Sequence, residues 1–170
     1  MAPSKRTKDS DAGKPSCRHS ETTAKQVASY FLSMQDDDAG DLISNLKLQK
    51  LLYYAQGSYL TLYGKPLFSE KIEAWVHGPV VPPIYRVVKK YGSQPIPTNA
   101  IDCDPINDAE VTEFLSEIYG IFGQYSAWKL RNMTHQDKPY REAQDHPGKE
   151  ISHKSMRKHF KQYIVDDSEE

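Results

Sequence analysis

The stretch from Ser44 to Gly64 is the feature of the sequence that most limits the fold. It begins at a serine that can cap a helix and ends at a glycine, a residue favoured just past a helix C-terminus. Between them the apolar residues recur at helical spacing and cover most of the helix circumference. The main stripe is Leu48, Leu51, Leu52, Ala55, Tyr59 and Leu62, flanked by Leu46, Tyr53 and Leu60. Apolar cover this broad predicts a central, mostly buried helix over residues 45–63.

Six more segments combine helical apolar periodicity with signals for a helix start or stop. They lie at about 23–34, 82–91, 107–122, 126–133, 139–144 and 152–164. Thr23 and Gln26 have the spacing of a capping box, and Asn107 and Glu110 mark the start of another helix. The sequence therefore predicts a mainly α fold, a compact bundle of about six to seven helices.

Residues 70–78 show the alternation that is typical of a strand. The apolar positions are Ile72, Ala74 and Val76, and the positions between them are Glu73, Trp75 and His77. This pattern predicts a short strand or a small hairpin, which Gly78 and Pro79 are expected to end. Pro82 or Pro83 then suits the first turn of the next helix. The proline-rich stretch 93–105 is predicted to be a surface loop, and the acidic stretch 36–41 a solvated turn.

Charge is concentrated at the two ends of the chain. Residues 1–20 carry five basic residues against two aspartates, and four of the last five residues are acidic. We therefore expect a disordered basic tail at 1–20, one domain at 21–165 and an acidic tail at 166–170. The formal net charge is −1, so the molecule as a whole does not attract nucleic acid or a membrane surface.

The cellular compartment and the state of the cysteines are predicted from three kinds of feature: membrane spans, signal peptides and cysteine spacing. No apolar run approaches the roughly 18 residues of a membrane span, and residues 1–20 have no apolar centre of a signal peptide. Cys17 and Cys103 have no spacing that indicates a disulfide framework or a zinc site. We expect a cytoplasmic protein in a reducing compartment.

A search for catalytic patterns finds none of the usual ones. The chain has no glycine-rich phosphate loop, no nucleophile elbow and no cysteine pair with metal spacing. His153 and His159 are six residues apart and would face different sides of a helix. We predict no enzyme activity, no metal and no cofactor, and an enzyme using His77 or His135 with Glu73 is the last of our hypotheses.

Two local groups, residues 73–82 and 130–140, have both a structural and a functional interpretation. Structurally, His77 could bond a turn carbonyl, His135 could cap the helix before it, and Thr134 or Asp137 could cap the next helix. Functionally, the two groups could contact a partner protein. The candidate partner-binding residues are Trp75, His77, Tyr85, Arg86, Thr134, His135 and Tyr140.

The last predicted helix has one basic and one apolar face. Its basic residues are Lys154, Arg157, Lys158, His159 and Lys161, and Met156, Phe160, Tyr163 and Ile164 are predicted to anchor it. Such a basic face usually keeps a terminal helix in water, but it could also bind an acidic partner or phosphates.

Ordered sequence blocks resemble the Panacea domain, also called the SocA-like or GepA-like phage-associated domain. The blocks are Leu46-Lys-Leu-Gln-Lys-Leu-Leu-Tyr-Tyr-Ala-Gln-Gly57, Gly64-Lys-Pro-Leu-Phe68, Ile72-Glu-Ala-Trp75, Gly78-Pro-Val-Val-Pro82 and Tyr91-Gly92, followed by Tyr125-Ser126, Leu130, Thr134-His135 and Pro139. The resemblance spans about 23–164. It departs at Tyr140, where the family more often has Trp, and at Ser58, where a larger residue is common.

The resemblance implies an antitoxin, a bacterial protein of plasmid or prophage origin that neutralises a toxin encoded beside it. It assigns the motif residues to the scaffold: Leu48, Lys50, Leu51, Tyr54, Glu73, Trp75, Gly78, Pro79, Pro82, Thr134, His135 and Pro139. Similar family members act instead as adaptors that deliver a toxin to an ATP-dependent protease. A DNA-binding regulator is a third hypothesis, so nucleic acid ranks behind protein as a partner. The sequence leaves the oligomeric state open.

Overall fold

The computed structural model describes residues 21–163, and the helix at their centre is the one predicted over 45–63. This helix, α2, spans Asn45–Tyr63; the Ser44 hydroxyl accepts from the Lys47 amide at its start, and Gly64 ends it in the left-handed conformation at φ +72°. Fourteen of its 19 residues are buried. The prediction of a central, mostly buried helix is therefore confirmed.

The other helices of the described region surround α2. They are α1 (Ala24–Ser33), α3 (Pro82–Val88), α4 (Ala109–Phe122), α5 (Ala127–Gln136), α6 (Lys138–Gln144) and α7 (His153–Phe160), with 3₁₀ turns at Lys89–Tyr91, Pro147–Lys149 and Lys161–Tyr163. Helices α1, α3, α4, α5 and α7 pack directly against α2. The predicted mainly α bundle is confirmed.

Most helix boundaries lie within three residues of the predicted ones. The capping box of Thr23 and Gln26 forms at the start of α1. Helix α4 starts one residue later than expected, because Asp108 and not Asn107 is its cap. The Asp108 carboxylate accepts from the amides of Glu110 and Val111, two donors that a helix start leaves without partners inside the helix. Helix α5 continues to Gln136, beyond the predicted end at 133.

The strand-like residues form a hairpin, and here one expectation was wrong. Strand β1 (Glu73–Trp75) pairs antiparallel with β2 (Gly78–Val80), so Gly78 and Pro79 begin a second strand instead of ending the first. Pro79 is tolerated because each strand of a two-stranded sheet has a free edge. Gly78 follows the two-residue turn at φ +112°, a conformation that glycine adopts without steric cost.

The proline-rich stretch 93–105 contains no helix or strand, as predicted. It is nevertheless fixed to the domain. The Ile96 amide donates to the Ile43 carbonyl at 2.9 Å, and the Gln35 side-chain amide donates to the Ile96 carbonyl at 2.9 Å. The side chains of Ile96 and Ile101 are buried in the core.

Both predicted charged tails, 1–20 and 166–170, lie outside the described residues. Within residues 21–163, no helix has the length and apolar character needed to cross a bilayer.

The packing of α2 on α7 can be tested at Gly57. A Cβ atom there would lie 2.6 Å from Cζ of Phe160, whereas one at Gly120 of α4 would meet nothing within 4 Å. We expect Gly57→Ala to lower the free energy of unfolding by about 1–3 kcal/mol through overpacking. Gly120→Ala should be neutral or raise it by up to about 1 kcal/mol, since alanine is the better helix former. Urea denaturation measures both; a Gly57→Ala protein as stable as Gly120→Ala would contradict this packing.

Candidate functional site

The hairpin lies over a buried lysine of α2. Lys50 is fully buried, and its Nζ donates to the Pro79 carbonyl at 3.1 Å. A Cβ at Gly78 would lie 2.9 Å from Oγ1 of Thr134 and 3.1 Å from Nζ of Lys50, so the hairpin backbone approaches α2 and α5 at a distance that only glycine allows. Burial, and secondarily the positive charge of Arg131, lowers the pKa of Lys50 to about 7.

Helices α5 and α6 hold the hairpin from its other side. The His135 ring lies between two carbonyl oxygens, with Nδ1 2.8 Å from that of Arg131 and Nε2 3.1 Å from that of Val76. The Tyr140 hydroxyl donates to the Trp75 carbonyl at 2.6 Å. Burial raises the pKa of Tyr140, so this hydroxyl keeps its proton and remains a donor. The hairpin turn is therefore tied to α5 and α6 by side chains from both helices.

An exposed face forms where the hairpin turn meets α5. Trp128 is 58% exposed and Val76 is 73% exposed. The Arg131 guanidinium stacks over the Trp128 ring, 4.5 Å from its centroid, and its Nε lies 3.5 Å from Nδ1 of His77. Its Nη1 donates to the Asn132 side chain at 3.1 Å. We call these five residues the hairpin–α5 surface.

Within residues 21–163, the positive charge of Arg131 on the hairpin–α5 surface has no carboxylate partner. Among the described residues, no carboxylate forms an ion pair with Arg131 or with Lys50 beneath the hairpin. A carboxylate brought by another molecule would therefore meet a guanidinium that is already oriented and not neutralised.

The structure brings most of the predicted partner-binding residues together around the hairpin. His77 is exposed, whereas Thr134 and Tyr140 are buried and support the surface from below. The Trp75 ring packs edge-to-face on Tyr85, with 4.9 Å between the ring centroids. Arg86 is exposed on α3, outside the hairpin–α5 surface.

Sequence reasoning missed Trp128 and Arg131, the two largest side chains of the surface. They are three residues apart in α5 and so lie on the same side of the helix. The sequence did contain a signal for this pair. The tryptophan lies outside the apolar stripe of its helix, and an arginine follows it one turn later. Trp and Arg are among the residue types most enriched in energetically dominant interface contacts.

The helix-capping interpretation of Thr134 and Asp137 was wrong, because no side chain caps α6. The Thr134 hydroxyl donates to the Arg131 carbonyl at 2.8 Å. Asp137 is buried, accepts from the Tyr53 hydroxyl at 3.1 Å and lies 3.3 Å from Nε2 of His159. Burial raises the pKa of Asp137, while the neighbouring imidazole and tyrosine hydroxyl act in the opposite direction. A buried carboxylate needs such partners more than the helix start needs a cap.

The basic face of α7 also needs correction at His159. Its side chain is 12% exposed and turned towards Asp137, with Nε2 3.3 Å from the carboxylate but without hydrogen-bond alignment. Met156 and Phe160 anchor α7 as predicted, but Tyr163 is 62% exposed. The remaining basic residues of that face are exposed: Lys154, Arg157, Lys158 and Lys161. Over the described part of the chain, no three His, Cys, Asp or Glu side chains are placed to hold a metal ion.

Residues 48–141, which contain the hairpin and all of α5, match the family model described as Antitoxin SocA-like, Panacea domain. Antitoxin SocA of Caulobacter vibrioides (strain NA1000 / CB15N) is 36% identical to this chain over 125 residues. That alignment covers 66% of this chain and 64% of the length of the relative, so the chain spans less than two thirds of that protein. No solved structure matches at a significant level.

Lys50 should make the stability of the protein depend on pH. Its pKa is about 7 in the folded protein, against an ordinary value of 10.5. At a pH between these two values, Lys50 of the unfolded chain binds a proton that Lys50 of the folded chain has released. The contribution of Lys50 to the free energy of unfolding therefore rises with pH across this range. We expect Lys50→Met to flatten the rise between about pH 7 and 9 in urea denaturation. Lys129→Met, at an exposed lysine of α5, is the control, and a Lys50→Met slope equal to that of this control would refute the expectation.

Proposed function

The chain belongs to the family of SocA-like antitoxins with the Panacea domain, and on that premise we propose that it is an antitoxin that neutralises a toxin protein by binding it directly. In this proposal the toxin is encoded nearby, both proteins act in the bacterial cytoplasm, and no bond is made or broken by the antitoxin. The structural observation that supports direct binding is the hairpin–α5 surface.

The hairpin–α5 surface has the properties of an interface centre. Trp128 offers a large exposed ring with few rotatable bonds, and Arg131 lies against it between His77 and Asn132. Because these contacts already restrict the arginine, less side-chain entropy is lost when a partner binds. The turn that carries Val76 and His77 is held by His135 and Tyr140, so the surface keeps its shape on binding.

The charge of the surface indicates what the toxin presents to it. Arg131 has no carboxylate partner in the described region, so its guanidinium is the charge that the surface offers to another molecule. An aspartate or glutamate of the toxin would form a two-bond ion pair with the Arg131 guanidinium, while an apolar group would cover Trp128. A nanomolar complex corresponds to about 12 kcal/mol of binding free energy, so one antitoxin per toxin is enough.

Co-expression with the product of the adjacent gene tests the antitoxin proposal. Direct neutralisation predicts that growth is restored, that the two proteins co-purify and that the amount of toxin in the cell does not fall. Delivery to an ATP-dependent protease predicts a shortened toxin lifetime that returns to normal when the protease is deleted. Growth arrest without any complex would contradict both mechanisms.

The contribution of Trp128 and Arg131 to toxin binding can be measured with single substitutions. We expect Trp128→Ala and Arg131→Ala each to weaken toxin binding by about 30-fold or more, the usual effect of a dominant interface residue. Arg141→Ala removes an exposed arginine of α6 and should leave the Kd unchanged. Titration calorimetry gives the Kd values, and thermal unfolding verifies the folding of each variant. Unchanged Kd values in both variants would disprove the role of this surface. The antitoxin proposal itself would then be decided by the co-expression experiment.

A further inference from the structure

A second concave surface lies away from the hairpin, where the end of α2 meets the start of α4. It is a groove of about 690 Å³. Aromatic and aliphatic side chains contribute to its wall, among them Tyr59, Tyr63 and Leu67. The rings of Tyr59 and Tyr63 are in contact at a tilt of 33°, with their centroids 4.4 Å apart. Tyr63 is 39% exposed, so part of this aromatic pair is open to solvent.

The rim of this groove is acidic. Glu21, Asp108 and Glu110 line it, and among the described lining residues Lys65 is the one basic side chain. Burial and the negative charges of Glu110, Glu117 and Glu113 raise the pKa of Tyr63, so the carboxylates of α4 create a negative potential at the aromatic pair. We call this the acidic groove.

The chain supplies a segment of opposite charge next to the acidic groove. Residues 1–20 carry Lys5, Arg6, Lys8, Lys14 and Arg18 against Asp9 and Asp11. This segment joins the domain at Glu21 and Thr22, which themselves line the groove. Arg18 is three residues from Glu21, a reach of about 10 Å. A segment tethered this closely has an effective concentration on the order of millimolar, so weak contacts suffice for docking.

We propose that residues 1–20 bind in the acidic groove of their own domain. Basic side chains of the segment pair with the carboxylates of the rim, and a lysine or arginine lies over the exposed ring of Tyr63, where a cation is attracted to the ring face. The groove shares no residue with the hairpin–α5 surface, so the proposal stands apart from toxin binding. Docking of this kind is electrostatic and weakens as salt rises.

A paramagnetic label on the full chain tests the docking. A nitroxide is attached at Ser10→Cys in a protein that also carries Cys17→Ser and Cys103→Ser, and broadening of the Tyr63, Lys65 and Val111 amide signals is recorded. Strong broadening is expected at low salt. It should fall in about 0.5 M NaCl, where the screening length is roughly 4 Å. The variant Lys14→Glu/Arg18→Glu, altered outside the folded domain, gives the broadening caused by the tether alone.

Substitutions in the groove identify where the segment binds. Glu21→Gln/Glu110→Gln should lower the docking constant about tenfold, since two exposed ion pairs at the rim are lost. Glu142→Gln/Asp145→Asn removes the same charge from exposed positions of α6 and its C-terminal end and should leave the broadening unchanged. Equal broadening in the wild type and the tail-reversed variant would overturn the proposal. So would loss of broadening in the α6 control, or its persistence in the groove variant.

Discussion

The fold depends on polar side chains that α2 carries inside the core. Gln56 accepts from the Leu67 amide and donates to the Phe68 carbonyl, both at 2.8 Å. Gln49 accepts from the Val81 amide at 2.9 Å, and Lys50 donates to the Pro79 carbonyl. Backbone N–H and C=O groups that are removed from water need hydrogen-bond partners. An irregular segment lacks the regular backbone hydrogen bonds by which a helix or sheet provides such partners. The stretch between α2 and α3 can therefore cover α2 because that helix provides the missing donors and acceptors.

These contacts also determine the position of the hairpin–α5 surface. Lys50 fixes the base of the hairpin from below, and His135 and Tyr140 fix its turn from α5 and α6. The cost is a buried lysine, whose pKa falls to about 7 because of burial and, secondarily, the positive charge of Arg131. In the proposed function, the burial of Lys50 costs some folding stability, and the fixed turn beside Arg131 needs little further ordering when a partner binds.

Periodicity predicted the helices well because helix burial follows local spacing, as the match of α2 to its predicted bounds shows. It treated Lys50, Gln49 and Gln56 as polar and therefore gave no indication that they are buried. Their partners are backbone atoms 11 to 32 residues away, which no local pattern contains. A hairpin was among the predictions, but the position of its second strand was missed for a related reason: Gly78 and Pro79 disfavour a strand locally and are held in one by pairing with β1.

Long-range packing explains the remaining differences at the candidate site. Asp137 and His159 meet because α6 packs against α7, and that contact overrides the capping role suggested by neighbouring residues. Trp128 and Arg131 become a surface only when the hairpin turn is placed beside them. Neither the Asp137–His159 contact nor the surface at Trp128 and Arg131 can be inferred from the spacing of residues along the chain.

The residues that carry the family resemblance and the residues of the hairpin–α5 surface are largely different. Val76 and His77 fall between the blocks that end at Trp75 and begin at Gly78, and Trp128 and Arg131 fall on either side of Leu130. The motif residues Leu48, Leu51 and Pro139 are buried. The motif therefore describes a scaffold that presents a turn and a helix face, and the presented side chains can change without disturbing it. Exposed side chains on such a scaffold can differ between proteins while the core stays the same.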